Sequence, residues 1–519
     1  MNQSRIKPRT LALIAVLSAG VAAVSGGAPA FAQDLTIAVP KNPDNLDPVT
    51  ENSNPNLRVV LSLYDTLVKF DYRNGGKIVP GLATEWKVID PKTLEFKLRP
   101  GVVFHNGDTF DAEDVIATFS DVRLGRDKSV PTESEEFIGG IEKIEAVDNM
   151  TVRVHMKAVD PIALDRFATF PAEIISETAL KQASTYNDFT KLDAGSGPYA
   201  LVSHDVGGAI VLKKFDAYWG DAKAAADKVT FVTVPELSTR VAGLLSGQFD
   251  MITEIGTDEF PQIEGNPNGA VAGGPIETIR GVIFDSIDSS ISDARIRHAM
   301  NLAIDREALV KALYDGRTDV PHGWQLKTFG DMYLQDRPVD EYDPQKAREL
   351  LKEAGYHGQE IVWRTQHNYY TKQGETAQIV QSMWKAVGLN VKLEFKENWT
   401  QVLADTPDRA IIDASSGAYY PDPLGQFWRR LGPGGSFMKQ KFFTVSPDMA
   451  ALGEELSTSI DTAQRRKVFA QMLDKFDQDP NTANFYTAAH FIGVRKDRLS
   501  YSALPSEYLD LTTTGVSFR

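Results

Sequence analysis

The chain has 519 residues, 24% charged and 42% hydrophobic, with no Cys and a formal net charge of −15. This balance excludes a disordered chain, a disulfide scaffold and any thiolate-based metal or redox chemistry. An acidic chain also lacks the basic face that a nucleic-acid partner requires, and at about 150 residues per domain the length allows roughly three domain-sized units.

Arg5, Lys7 and Arg9 precede an apolar run over 11–24, and Ala30-Phe31-Ala32 follows as a small-x-small pattern. This order predicts a secretory signal peptide over 1–32, cleaved after about Ala32. The run is short for a membrane span of about 20 residues, and no Cys is present to carry a lipid anchor. Removing 1–32 takes away three positive and no negative charges, so the net charge moves from −15 to −18. No later stretch approaches 18 uninterrupted apolar residues, so a soluble, exported protein is expected.

Period-two alternation predicts strands at Leu35-Ile37-Val39, Leu94-Phe96-Leu98, Val152-Val154-Met156 and Leu389-Val391-Leu393-Phe395. Asp111 and Asp114 are placed to cap a helix that buries Val115, Phe119 and Val122. Asp305 opens another, with Ala308, Leu309, Ala312 and Leu313 expected inward and Gly316 at its end. Asp343 followed by Pro344 starts a helix that Gly355 stops. Ala377, Val380, Trp384 and Val387 line one face of a helix ended by Gly388. Strands and helices interleave, which reads as α/β. There is no internal repeat and no long linker, so any lobes are joined by strands or short hinges.

No nucleophile elbow, zinc-protease motif or phosphate loop is present. Gly195-Ser196-Gly197-Pro198 lacks elbow spacing and reads as a turn. The eight His are scattered and no two lie three or four apart, so neither a metal site nor a cofactor is expected. The chain is not expected to be an enzyme, although two carboxylates meeting in space would escape this reading.

The stretch over 79–119, VPGLATEWKVIDPKTLEFKLRPGVVFHNGDTFDAEDVIATF, resembles the hallmark segment of the peptide/nickel-type extracellular solute-binding proteins, family 5. Further matches follow in family order: Leu46-Asp47-Pro48, Leu63-Tyr64-Asp65-Thr66-Leu67, Gly195-Ser196-Gly197-Pro198-Tyr199 and Tyr218-Trp219-Gly220. RVAGLLSGQFD at 240–250, RIRHAMNLAIDREALV at 295–310 and YDPQKARELLKEAGY at 342–356 complete the set. The resemblance implies a two-lobed α/β periplasmic binding protein, type II and cluster C-like, with an extra α/β domain inserted in the first lobe. The implied lobe I comprises 33–70, 193–278 and 490–519, the extra domain 71–192, and lobe II 279–489. It implies a monomer in the periplasm that captures a small polar ligand, a peptide or peptide-like solute, and delivers it to an inner-membrane ABC permease with its ATPase subunits. A sugar conjugate or an opine-like amino-acid derivative is the alternative ligand, and a secreted hydrolase of the same fold the remote alternative.

In peptide-binding relatives an Asp ahead of a D-P or E-P pair grips the ligand's amino group. Here Asp422-Pro423 supplies the pair, and Tyr419 stands at the Asp position. A phenol lacks the formal charge that pairs with an ammonium. Free-amine ligands are therefore expected to bind weakly unless another carboxylate, Asp422 or Glu51, takes over. The Arg of dipeptide binders aligns with His367 or a neighbour, and Arg364 lies three positions away. The loop 364–370 (RTQHNYY), Tyr419, Tyr420 and Trp399 suit a cleft that stacks on flat groups and hydrogen-bonds their edges. Glu51 and Asn52 are the first-lobe candidates.

Overall fold

A computed structural model describes residues 33–519 apart from 52, 128, 129, 131, 133 and 288. The expected signal peptide over 1–32 and the candidate Asn52 thus lie outside the described residues. Among the described residues, no helix is long and apolar enough to cross a membrane.

The four alternating segments form strands Asp34–Val39, Thr93–Leu98, Thr151–Met156 and Asn390–Phe395. A ten-stranded mixed sheet organises most of the rest. At one end, Glu360–Thr365 runs parallel to Asn390–Phe395 and to Ile411–Gly417. Toward the other end, Asp34–Val39 runs parallel to Lys228–Thr233 and to Met251–Ile252. Two long strands, Gly269–Phe284 and Thr482–Arg495, pair antiparallel with each other and link these groups. Each parallel group needs cover on both faces, which the interleaved helices supply. Around one group Trp363, Trp384, Met300 and Phe485 are buried together; around the other, Ile37, Phe231 and Met251.

A separate four-stranded antiparallel sheet holds Ala83–Asp90, Thr93–Leu98, Thr151–Met156 and Ile141–Asp148. Its apolar face is continuous with residues far along the chain. Phe96, Phe110, Phe137 and Phe170 belong to the same buried cluster as Tyr420, Phe427 and Phe469. Arg429 ion-pairs with Glu136 at 2.7 Å across this contact.

The helix ends follow local chemistry. Asp343 accepts from the Gln345 and Lys346 amides at 3.0 and 2.9 Å, and helix Pro344–Glu353 stops ahead of Gly355, whose φ is +67°. Asp111 caps Ala112–Thr118, with Asp114 reaching back to the Asp111 amide. Helix Arg306–Tyr314 differs from expectation in its inward face. It buries Leu309, Val310, Leu313 and Tyr314, while Ala308 and Ala312 are exposed. The residues at 306, 309, 310, 313 and 314 make a complete helical stripe, and their larger apolar area wins the core side.

Gly195-Ser196-Gly197 is a packing contact. A Cβ on Gly195 would lie 1.9 Å from the Leu63 carbonyl oxygen, to which the Gly197 amide donates at 2.9 Å. Ser196 is buried and donates to Asp65 at 3.2 Å, which keeps its hydroxyl from acting as an exposed nucleophile.

Candidate functional site

The strand Ile411–Gly417 ends beside the long strand Gly269–Phe284, and the chain leaves it through Ala418 and Tyr419. There the strands' ends, helix Asn54–Leu63 and the segment 506–508 surround a cavity of about 100 Å³. Four tyrosines, Tyr72, Tyr370, Tyr419 and Tyr508, stand in its wall. Such rings give contact area at low entropic cost and hydroxyls for hydrogen bonds.

Two guanidinium groups line the cavity. Arg280 donates from Nη1 to the Ala414 carbonyl at 2.5 Å and from Nη2 to Asp413 at 3.2 Å. Its plane lies 3.5 Å over the Tyr370 ring. Arg430 donates to Ser436 Oγ at 2.9 Å. The Nε atoms of both are buried and meet no acceptor among the described residues. Buried donors without partners cost about 1–3 kcal/mol each.

Two acids, Glu277 and Glu507, also line the cavity. Glu507 accepts from Asn54 Nδ2 at 3.2 Å and lies 3.7 Å from His490 Nδ1. Burial lowers the His490 pKa, more than the neighbouring Glu507 raises it. Glu277 stands where pairing of the long strands is interrupted: the five residues from Pro275 to Ile279 oppose the three from Ala489 to Thr487. Such a bulge re-aims a side chain. The Glu277 amide donates instead to the Pro505 carbonyl at 3.0 Å, and its carbonyl accepts from the Ala418 amide at 2.8 Å. Burial alone pushes the Glu277 carboxyl up to about 8.

Of the side chains singled out from sequence, Tyr419 lines the cavity, packed edge-on against Phe137 at 4.7 Å with Arg429 over its face. Trp399 lies one layer behind, edge-on to Tyr369 and Tyr370 at 5.3 and 5.9 Å. The others are placed elsewhere. Tyr420 is 1% exposed, under the Arg166 guanidinium, and donates to the Phe137 carbonyl. Asp422 is buried against Arg465 at 2.7 Å and caps the Leu424 amide. Arg364 is committed to the Ala404 carbonyl, Thr406 and Asp408. His367 is exposed and stacks on Phe395 at 3.8 Å. Glu51 accepts from Ser53 Oγ at 2.6 Å outside the cavity, and burial raises its pKa. Asp422 and Glu51 thus lie outside the lining of this cavity.

Sequence reasoning passed over Arg280, Glu277, Arg430, Glu507, Tyr72 and Tyr508. A usable signal existed for the first two: a Glu and an Arg three apart inside an otherwise apolar strand. Among the described residues, no group of three or more His, Asp or Glu side chains is placed to hold a metal ion.

Comparison with known proteins gives concordant results. The glutathione-binding protein GsiB of Pectobacterium atrosepticum is 30% identical over 383 residues, 73% of this chain and 72% of that protein. Di/tripeptide-binding protein 1 of Pseudomonas aeruginosa is 28% identical over 405 residues, 72% and 74% of the two chains. The periplasmic binding protein DppA of Helicobacter pylori, solved with the peptide STSA, superposes with a TM-score of 0.82 at 23% identity. That match covers 93% of this chain and 98% of the other, and it establishes the two-lobed periplasmic-binding-protein fold. Residues 77–437 match the family model described as bacterial extracellular solute-binding proteins, family 5 Middle, and with seven tenths of its length inside that match the chain belongs to the family 5 extracellular solute-binding proteins.

Proposed function

We propose that the protein is a periplasmic receptor for short peptides or peptide-like solutes, held in the cavity between Tyr72, Tyr370, Tyr419 and Tyr508. The observation that carries this reading is the pair of unsatisfied guanidinium donors on Arg280 and Arg430 in an aromatic cavity. A guanidinium Nε–H of this kind can donate to a terminal carboxylate, and the rings pack the chain behind it. The names of the relatives, one binding glutathione and another di- and tripeptides, support the same class. In this reading 1–32 directs export to the periplasm, and a monomer hands its ligand to a membrane ABC permease with ATPase subunits. Lobe I comprises 33–70, 193–278 and 490–519 with 71–192 inserted, and lobe II comprises 279–489. Capture without turnover is the proposed outcome.

Native mass spectrometry of the protein mixed with a di- and tripeptide library tests the proposal. Retained adducts of peptide mass, released intact on denaturation, are the expected result. An empty protein at millimolar peptide, or adducts of hydrolysed product, would overturn it.

The long strands Gly269–Phe284 and Thr482–Arg495 are the proposed hinge, since both bridge the two parallel groups of the sheet. Hinge closure around ligand is expected of such a receptor. Small-angle scattering should give a smaller radius of gyration with saturating peptide, and an unchanged radius would argue against the hinge.

A further inference from the structure

Glu277 lines two cavities. One is the tyrosine-lined cavity; the other, of about 160 Å³, is bounded by Pro275, Ile276, Val320, Leu326 and Tyr333 and is largely apolar. Its carboxylate has no hydrogen-bond or ion-pair partner among the described residues. Glu277 is half-buried, and a partly desolvated carboxylate without a partner carries a cost that a bound cation would offset. The bulge that turns it inward fixes its backbone to Pro505 on one side and Ala418 on the other. The acid is therefore held by both walls of the site.

We propose that Glu277 binds the ammonium group of the ligand, in place of the acid absent at Tyr419, and that an apolar side chain next to that ammonium fills the second cavity. This rests on the peptide reading above. The geometry assigns polarity to the ligand: its cationic end sits at the bulge and its anionic end at Arg280 or Arg430. The apolar lining favours Leu, Met or Phe over Gly as the first residue, because each buried CH₂ is worth about 0.8 kcal/mol.

The proposal has a proton signature. Without ligand Glu277 is held protonated well above the usual carboxylate range. Pairing with an ammonium requires the carboxylate, so binding near pH 7 should release close to one proton. Affinity should then rise close to tenfold from pH 6 to pH 7, while a peptide amino group is still largely protonated. The other charged groups lining the first cavity are Arg280, Arg430 and Glu507; those lining the second are Asp319, His322 and Lys327. His322 Nδ1 donates to the Arg337 carbonyl. The Glu277→Gln variant separates them, since it removes only the Glu277 contribution.

The test offers a dipeptide library, varied at the first residue, once with free and once with N-acetylated amino termini. Native mass spectrometry reads retention, and calorimetry in two buffers of different ionisation enthalpy reads protons. Retention of free over acetylated peptides by at least tenfold, loss of that preference in Glu277→Gln, and proton release by the wild type only are the expected results. Equal retention of acetylated peptides by the wild type would overturn the proposal and leave the peptide reading standing; this arm needs no variant. Unchanged binding by a folded Glu277→Gln would overturn it likewise. Equal retention of Gly-first and Leu-first peptides would overturn the role of the second cavity. Retention of neither form would overturn the peptide reading and this proposal with it.

Discussion

Asp47→Ala should lower the free energy of unfolding by about 3–5 kcal/mol, the usual cost of leaving a buried charge without its partner. Asp47 and Arg123 have side chains 1% and 0% exposed and pair at 2.9 Å. The other Asp47 oxygen accepts from Tyr186 at 2.9 Å and from Thr50 at 3.1 Å, while Arg123 Nε donates to the Thr118 carbonyl at 3.0 Å. The pair thus joins three stretches distant in sequence, 47–50, 118–123 and 186. Removing the carboxylate strands the guanidinium among Thr118, Tyr186 and the Phe189 ring. Urea unfolding followed by Trp fluorescence should show a lower midpoint for Asp47→Ala. The double change Asp47→Leu with Arg123→Met should recover most of the loss, because replacing both partners removes the stranded charge. If the double variant is as unstable as the single one, the stranded charge is not the cause.

Asp47 also shows why the family motifs were legible while the site was not. Leu46-Asp47-Pro48 identified the family, and its role in the structure is to hold the scaffold. The helix caps at Asp111, Asp305 and Asp343 were readable because a cap depends on residues two or three positions away. The cavity wall depends on pairings hundreds of residues apart. Tyr419 and Tyr420 are adjacent and alike, yet one lines the cavity and the other lies under Arg166, because the chain bends past the strand end at Gly417. Arg364 looked available in sequence, but its strand turns it toward Asp408 and away from the cavity. Glu277 stood out in sequence only as a charge inside an apolar strand; its place at the cavity arises from pairing with 487–489 and from contacts to 418 and 505. Continuity of the 71–192 core with Tyr420, Phe427 and Phe469 was equally out of reach, since no local pattern encodes which sheet face meets which helix.

Asp413→Ala should weaken both the fold and ligand capture, because Asp413 anchors the wall that presents Arg280 and Tyr370. Its carboxylate is 3% exposed and accepts from Arg280 Nη2 at 3.2 Å, Thr365 Oγ1 at 3.0 Å and Gln373 Nε2 at 2.6 Å. Gln373 in turn uses its Oε1 to hold the amides of Tyr369 and Tyr370 at 2.9 and 3.1 Å. Loss of the carboxylate leaves a buried guanidinium with one carbonyl partner and frees the Gln373 side chain that fixes the 369–370 loop. Destabilisation of about 3–5 kcal/mol is expected from the stranded charge. A loss of peptide affinity of at least about tenfold is expected as well, equal to about 1.4 kcal/mol of positioning. Asp413→Asn keeps an oxygen for Gln373 but no charge for Arg280, so it should retain more stability than Ala. Calorimetric titration beside a urea melt separates the two effects. A folded Asp413→Ala protein that binds peptide as tightly as the parent would show that Arg280 and Tyr370 reach their places without this network.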